Sequence, residues 1–152
     1  MDQAAILALN NAHAEATSLL SAGQMSALLA TAFHVGLADD GRQGFLIALD
    51  QDADYDSPNF LWFRQRYHRF AYVDRIVIAT AGQGTGRALY TALFAKAAAA
   101  GHDRVVCEVN QDPPNPGSDA FHVALGFTPV GHATLPNGKT VQYLERVLTS
   151  GS

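Results

Sequence analysis

Apolar positions along the chain fall into short blocks separated by polar or glycine-rich punctuation, and the spacing inside each block predicts its element. Residues 4–9 form a short apolar run that stops at Asn10 and Asn11; it is read as a strand, although a helix would also fit. Residues 13–20 are helix-compatible. Ser21 and Gln24 have the spacing of a capping box, and behind them Met25, Leu28 and Leu29 share one face of a helix that reaches Ala32. Residues 33–38 and 45–49 read as strands joined by a polar, glycine-containing turn, which predicts a hairpin. Residues 50–59 hold four Asp and one Pro without any period, so they form a loop, and 60–70 fit a short helix.

The second half is more regular. Residues 72–79 form a strand with the branched run Ile76, Val77 and Ile78. A glycine-rich turn follows, then a helix over 87–100 in which Leu89, Leu93 and Ala97 repeat at i, i+4 and Gly101 stops the element. Residues 104–110 are a strand, 111–117 a Pro-rich loop and 118–125 a short helix. Ser118 caps that helix, Asp119 suits its positive end and Gly126 ends it. Residues 127–135 and 140–148 pair as a terminal hairpin. Helices interleave with strands, so the class is α/β (α+β) with a mixed sheet.

Composition narrows the function classes. With 152 residues, 48% of them apolar and 16% charged, one packed domain over 1–148 is expected, with a disordered tail at 149–152. A net charge of −4 argues against a nucleic-acid binder or a polybasic membrane-surface protein. No apolar run reaches the length of a membrane span, and the N-terminus lacks the basic region of a signal peptide. The single Cys107 has no disulfide partner, which fits a reducing, cytoplasmic setting; its own expected role is a small buried apolar residue. The six histidines show no metal-ligand spacing, so no metal is expected.

Two stretches carry chemistry. Gly82, Gln83, Gly84, Thr85, Gly86 and Arg87 lie between a strand and an amphipathic helix. Glycines there let backbone N–H groups at the helix start approach a phosphate, while a ligand-free tight turn is the other reading of this stretch alone. It is not a Walker A loop, because no Lys-Ser/Thr follows, and Arg87 stands where a dinucleotide fingerprint needs its third glycine. The second stretch runs Asn115, Pro116, Gly117, Ser118, Asp119, Ala120, Phe121, His122 and on to Leu125, Gly126 and Phe127. It resembles the last helix of the GNAT acetyltransferases, Asn-x-x-Ala/Ser, an aromatic-Tyr pair and Gly-Phe. The glycine turn resembles that family's pyrophosphate loop, in the family's chain order. The two motifs cover about residues 72–148, and the chain is most similar to a subgroup of predicted acetyltransferases with Tyr-Val-Asp-Arg-Ile at 72–76 and Pro-Pro-Asn-Pro-Gly-Ser at 113–118. It departs where the family's Arg/Gln falls on Ala81.

The resemblance implies a mixed, twisted sheet of about six or seven strands with a V-shaped gap between strands 72–79 and 104–110. It implies acetyl-coenzyme A as acyl donor and direct transfer to a primary amine, a small molecule or a peptide. Ile76, Val77 and Ile78 would pair with the pantetheine arm, an N–H of Val77 or Ile78 would stabilise the oxyanion, and Asn115, Ser118 and Phe121 would touch the cofactor. Glu108 and Asp74 are candidate bases, and His122, in the family's Tyr position, is a candidate acid for the leaving thiolate. Seven of the chain's 14 aromatics fall within 18 residues, from Tyr55 to Tyr72. Tyr55, Trp62 and Tyr72, with Asp56 beside them, would wall a cationic acceptor; a satellite core is the other reading. A non-catalytic coenzyme A sensor on the same fold is the rival, and a homodimer stays open.

Overall fold

The computed structural model describes residues 1–14, 17–111 and 116–148. In chain order its elements are α1 (Gln3–Ala12), α2 (Ala22–Thr31), β1 (His34–Ala38), β2 (Gly44–Asp50), α3 (Pro58–Arg64), β3 (Ala71–Ile78), α4 (Thr85–Ala99), β4 (Arg104–Asn110), α5 (Pro116–Ala124), β5 (Thr128–Thr134) and β6 (Thr140–Val147), with one 3₁₀ turn at Asp39–Gly41. No helix among the described residues is long and apolar enough to cross a membrane. The tail at 149–152 lies outside the described residues.

The predicted strand at 4–9 is instead part of α1. Asp2 caps it, its side chain accepting from the Ala5 N–H at 3.0 Å, and Ile6 and Asn10, one helical repeat apart, are buried. A short apolar run has no period of its own, so only this cap and the tertiary contacts decide it. Asn10 and Asn11 do not end the element but fasten the chain that follows. Asn10 Nδ2 donates to the Ser18 carbonyl at 2.8 Å, and Asn11 bonds both the N–H and the carbonyl of Leu20 at 3.0 Å. Those side chains hold 17–20 in a non-helical course, which corrects the helix expected over 13–20.

The capping box at Ser21 and Gln24 forms in both directions, with Met25 and Leu28 buried behind it. In α5, Ser118 is not the cap; Pro116 opens the helix, where a missing N–H costs nothing.

The six strands lie in the order β1-β2-β3-β4-β6-β5, antiparallel except for the β3–β4 pair. β2 is buried from Gly44 to Leu49 without alternation, because helices cover both faces of the sheet. One core lies under α1, α2 and α3 and holds Phe45, Ile47, Phe60, Phe63, Phe70, Tyr72 and Tyr143. The other lies under α4 and α5 and holds Leu46, Val73, Leu89, Tyr90, Leu93, Cys107 and Phe127. The aromatic segment around α3 is thus a part of the first core.

Candidate active site

β3 and β4 pair only at Ala71 with Val105 and Tyr72 with Val106. Beyond that point β3 continues on β2 as far as Ile78, and β4 continues on β6 as far as Asn110. The sheet therefore opens between two parallel strands, as the family resemblance implied. Asp74 is the extra residue where the β2–β3 register shifts, between the pairs Ile47–Arg75 and Ala48–Val73. Such a bulge re-aims the side chains around it.

The bonding parity of β3 selects which backbone groups border the gap. The Ala79 N–H donates to the Gln43 carbonyl at 2.9 Å, so the alternation of an antiparallel ladder turns Val77 toward β2. The N–H groups of Ile76 and Ile78 then face the gap, and of the two expected oxyanion donors Ile78 has the right direction.

At the end of β3 the glycine turn leads into α4. Gly82 (φ +83°) and Gly84 (φ +74°) adopt left-handed backbone that other residues resist, and a Cβ at either would meet nothing within 4 Å. Gly84 is the N-cap of α4 and brings no side-chain cap, so the first N–H groups of the helix, from Thr85 to Arg87, point outward without an intrahelical partner. Gly86 serves packing: a Cβ there would sit 3.0 Å from the Phe121 ring. Gln83 and Arg87 are exposed, Ser118 is half-buried on α5, and Asn115 lies outside the described residues.

The two carboxylates flanking the gap have different surroundings. Asp74 is fully engaged: Oδ1 accepts from the Tyr55 hydroxyl at 2.6 Å and Oδ2 from Arg75 Nε at 2.8 Å. Arg75 in turn donates to Asn10 Oδ1 at 3.0 Å, and the Asp74 and Arg75 side chains are only 4% and 7% exposed. Glu108 accepts from the Tyr72 hydroxyl at 2.8 and 3.0 Å and from Asn59 Nδ2 at 3.1 Å. Burial first, and then the negative Asp74, push the Glu108 carboxyl up to about 8, against the lowering effect of the Tyr72 and Asn59 bonds. The Tyr72 phenol, buried and beside Glu108, is raised well above its ordinary value and stays a donor.

His122 differs from its expected place. It is buried against Tyr90, Phe121 and Phe127. Nδ1 lies 2.8 Å from the Ser118 carbonyl, which only accepts, so Nδ1 carries the proton. Nε2, 3.0 Å from the Tyr90 hydroxyl, then accepts from it, and burial lowers the imidazole's pKa. A neutral ring with its one proton given to a backbone carbonyl has none to offer a thiolate. Cys107 is buried, as expected, and burial raises its thiol.

The expected acceptor wall is also rearranged. Tyr72 is wholly buried and serves Glu108; Tyr55 serves Asp74; Asp56 is exposed. Trp62 stacks on Tyr143 at 4.2 Å and already carries the chain's own cation, Arg66, at 3.8 Å. Asn59 and Tyr143 were not singled out from sequence. Each is an ordinary polar residue whose role exists only once distant elements meet.

No protein-family model matches the chain, and no curated protein matches it in sequence. Solved structures do. The ribosomal-protein-S18-alanine N-acetyltransferase of Escherichia coli superposes with a TM-score of 0.68 at 17% identity, over 99% of this chain and 90% of that one. A GNAT-family acetyltransferase from Streptococcus pneumoniae gives 0.67 at 20% identity, over 97% and 94%. A chain of the NatC complex bound to Gag peptide and CoA gives 0.70 at 14% identity, over 97% and 91%. From the opened sheet to the terminal hairpin, the chain has the fold of the GNAT acetyltransferases.

Proposed function

We propose that this protein is an acetyl-coenzyme A-dependent N-acetyltransferase acting on a primary amine, with Glu108 as general base. The observation that carries the reading is Glu108 itself, a carboxylate at the opening of the sheet whose pKa of about 8 suits proton removal near neutrality. The turn residues fit the donor: Gly82 and Gly84 leave open space, and the uncapped start of α4 supplies N–H groups for a pyrophosphate. Ile76 and Ile78 would line the pantetheine arm, with Phe121 and Ser118 on the α5 side. When bound, acetyl-coenzyme A supplies an activated acyl group.

The chain's own residues then divide the work. The Ile78 N–H is aimed to stabilise the oxyanion, and Glu108 takes the ammonium proton, directly or through a water. Tyr72 and Asn59 hold the carboxylate, while Asp74 holds Arg75 and fixes the bulge. We assign His122 to packing and to orienting Tyr90. A thiolate of ordinary thiol acidity can leave without a general acid. The fold neighbours include enzymes named as ribosomal-protein-alanine N-acetyltransferases, so peptides with a free N-terminal alanine belong in the acceptor panel beside polyamines. The test is thiol release from acetyl-coenzyme A across that panel. Release with at least one amine is expected. Tight coenzyme A binding without release from any of them would favour the sensor.

A further inference from the structure

The helix α3 enters the sheet's polar network through one residue, and the fold invests much in holding it there. Asn59 Nδ2 donates to Glu108 Oε1 at 3.1 Å, and Asn59 Oδ1 accepts from the Tyr143 hydroxyl at 2.9 Å. When Glu108 is ionised it can only accept, so the amide presents its NH₂ end to it, and the Tyr143 hydroxyl donates to the oxygen left over. Tyr143 has little freedom of its own, being 1% exposed, stacked on Trp62 and edge-on to Phe63. Trp62 rests on the β5 backbone at Gly131, where an added Cβ would come within 2.5 Å of the indole. The strap α3 is thereby clamped to the terminal hairpin, and the amide is clamped to the carboxylate.

We propose that Asn59, oriented by Tyr143, is a positioning residue that holds the Glu108 carboxylate and favours its ionised form. The proposal rests on the reading of Glu108 as the base, since only then does its protonation matter to turnover. The groups facing Glu108 are few. Tyr72 and Asp74 come from β3, Asn59 from α3 and Tyr143 from β6, with Cys107 next to Glu108 on β4 and Tyr90 on α4. Burial and then Asp74 favour the neutral acid; Tyr72, a backbone bond and Asn59, in that order, favour the anion. Of the two side chains that donate to Glu108, Tyr72 lies on β3 and Asn59 on α3, so the position of α3 reaches the carboxylate through Asn59.

The experiment is a ¹³C NMR titration of the Glu108 side-chain carboxyl in the free protein, which needs no acceptor and no turnover. In Asn59→Leu the midpoint should move upward by about one pH unit, the size of one lost hydrogen bond to a charged group. Tyr143→Phe keeps the ring and its stacking, so it serves if Asn59→Leu fails to fold; it should move the midpoint the same way by about half a unit. Leu61→Ala, also in α3 but against the core, should lower Tm and leave the midpoint unmoved. An Asn59→Leu midpoint equal to the parent's, or a Leu61→Ala shift as large, overturns the proposal. If instead the shift appears but Glu108→Gln turns over normally, the positioning stands and the base assignment fails.

Discussion

On the α4 and α5 side of the opened sheet, what borders the gap is backbone: two glycines at positive φ, an uncapped helix start and a strand edge. On the α1 to α3 side it is side chains, with Asp74, Arg75, Tyr55 and Asn10 in one network and Glu108, Tyr72, Asn59 and Tyr143 in another. A site made of backbone tolerates variation in side chains as long as the glycines remain. A site made of buried charges depends on every partner, because a carboxylate or guanidinium stripped of its partner keeps its full desolvation cost. Replacing a residue on either side should therefore fail differently, through ligand binding on the first and through folding or proton affinity on the second.

The largest effect is expected from Asp74→Ala. It leaves the Arg75 guanidinium buried without its counter-charge and should cost about 3–5 kcal/mol in chemical denaturation. A loss below about 1 kcal/mol would show that water reaches the pair and that the network is not a buried one. Gly84→Val comes next: strain at φ +74° and a side chain in the open space before α4 should weaken coenzyme A binding by at least about 10²-fold in calorimetry. Gln83→Ala should change it by less than about twofold, since backbone and not that exposed side chain is the ligand. Normal binding by Gly84→Val would remove the loop from the donor site. His122→Phe removes one partner of the Tyr90 hydroxyl, which keeps Cys107 beside it, and should cost about 1 kcal/mol of stability with kcat within about twofold of the parent. A fall in kcat of about 10²-fold with coenzyme A affinity intact would return the acid role to His122.

The contrast between the two sides also governs what could be read from the sequence. Strand 104–110, the long helix after the glycine turn, the capping box at Ser21 and the terminal hairpin are written in local periodicity and turn residues, and they form as expected. The glycine turn was legible for the same reason. Glu108 was recognisable as a candidate base, but the amide that holds it lies 49 residues away in sequence, and no local pattern ties the two. His122 matched a motif position, yet its placement depends on Tyr90, 32 residues earlier, and on a carbonyl of its own helix. The strand expected at 4–9 failed because the short apolar run fits either period, and Asp2 with the buried Asn10 settles it as helix.

The central claim is that Glu108, held near a pKa of about 8, removes the acceptor's proton, and the pH dependence of kcat/KM in the parent and in Glu108→Gln tests it most directly. The parent should rise with pH through a midpoint near 8, because the base works only when deprotonated. Glu108→Gln should lose that limb and about 10²–10³-fold in rate while binding coenzyme A as before. Thermal melts of the same two proteins carry the linked sign. A carboxyl raised in the folded state costs nothing below its ordinary value and its full penalty above about 8, so the variant should gain stability over the parent as pH rises from 5 to 9. A Glu108→Gln enzyme that keeps the parent's rate and its rising limb would contradict the account.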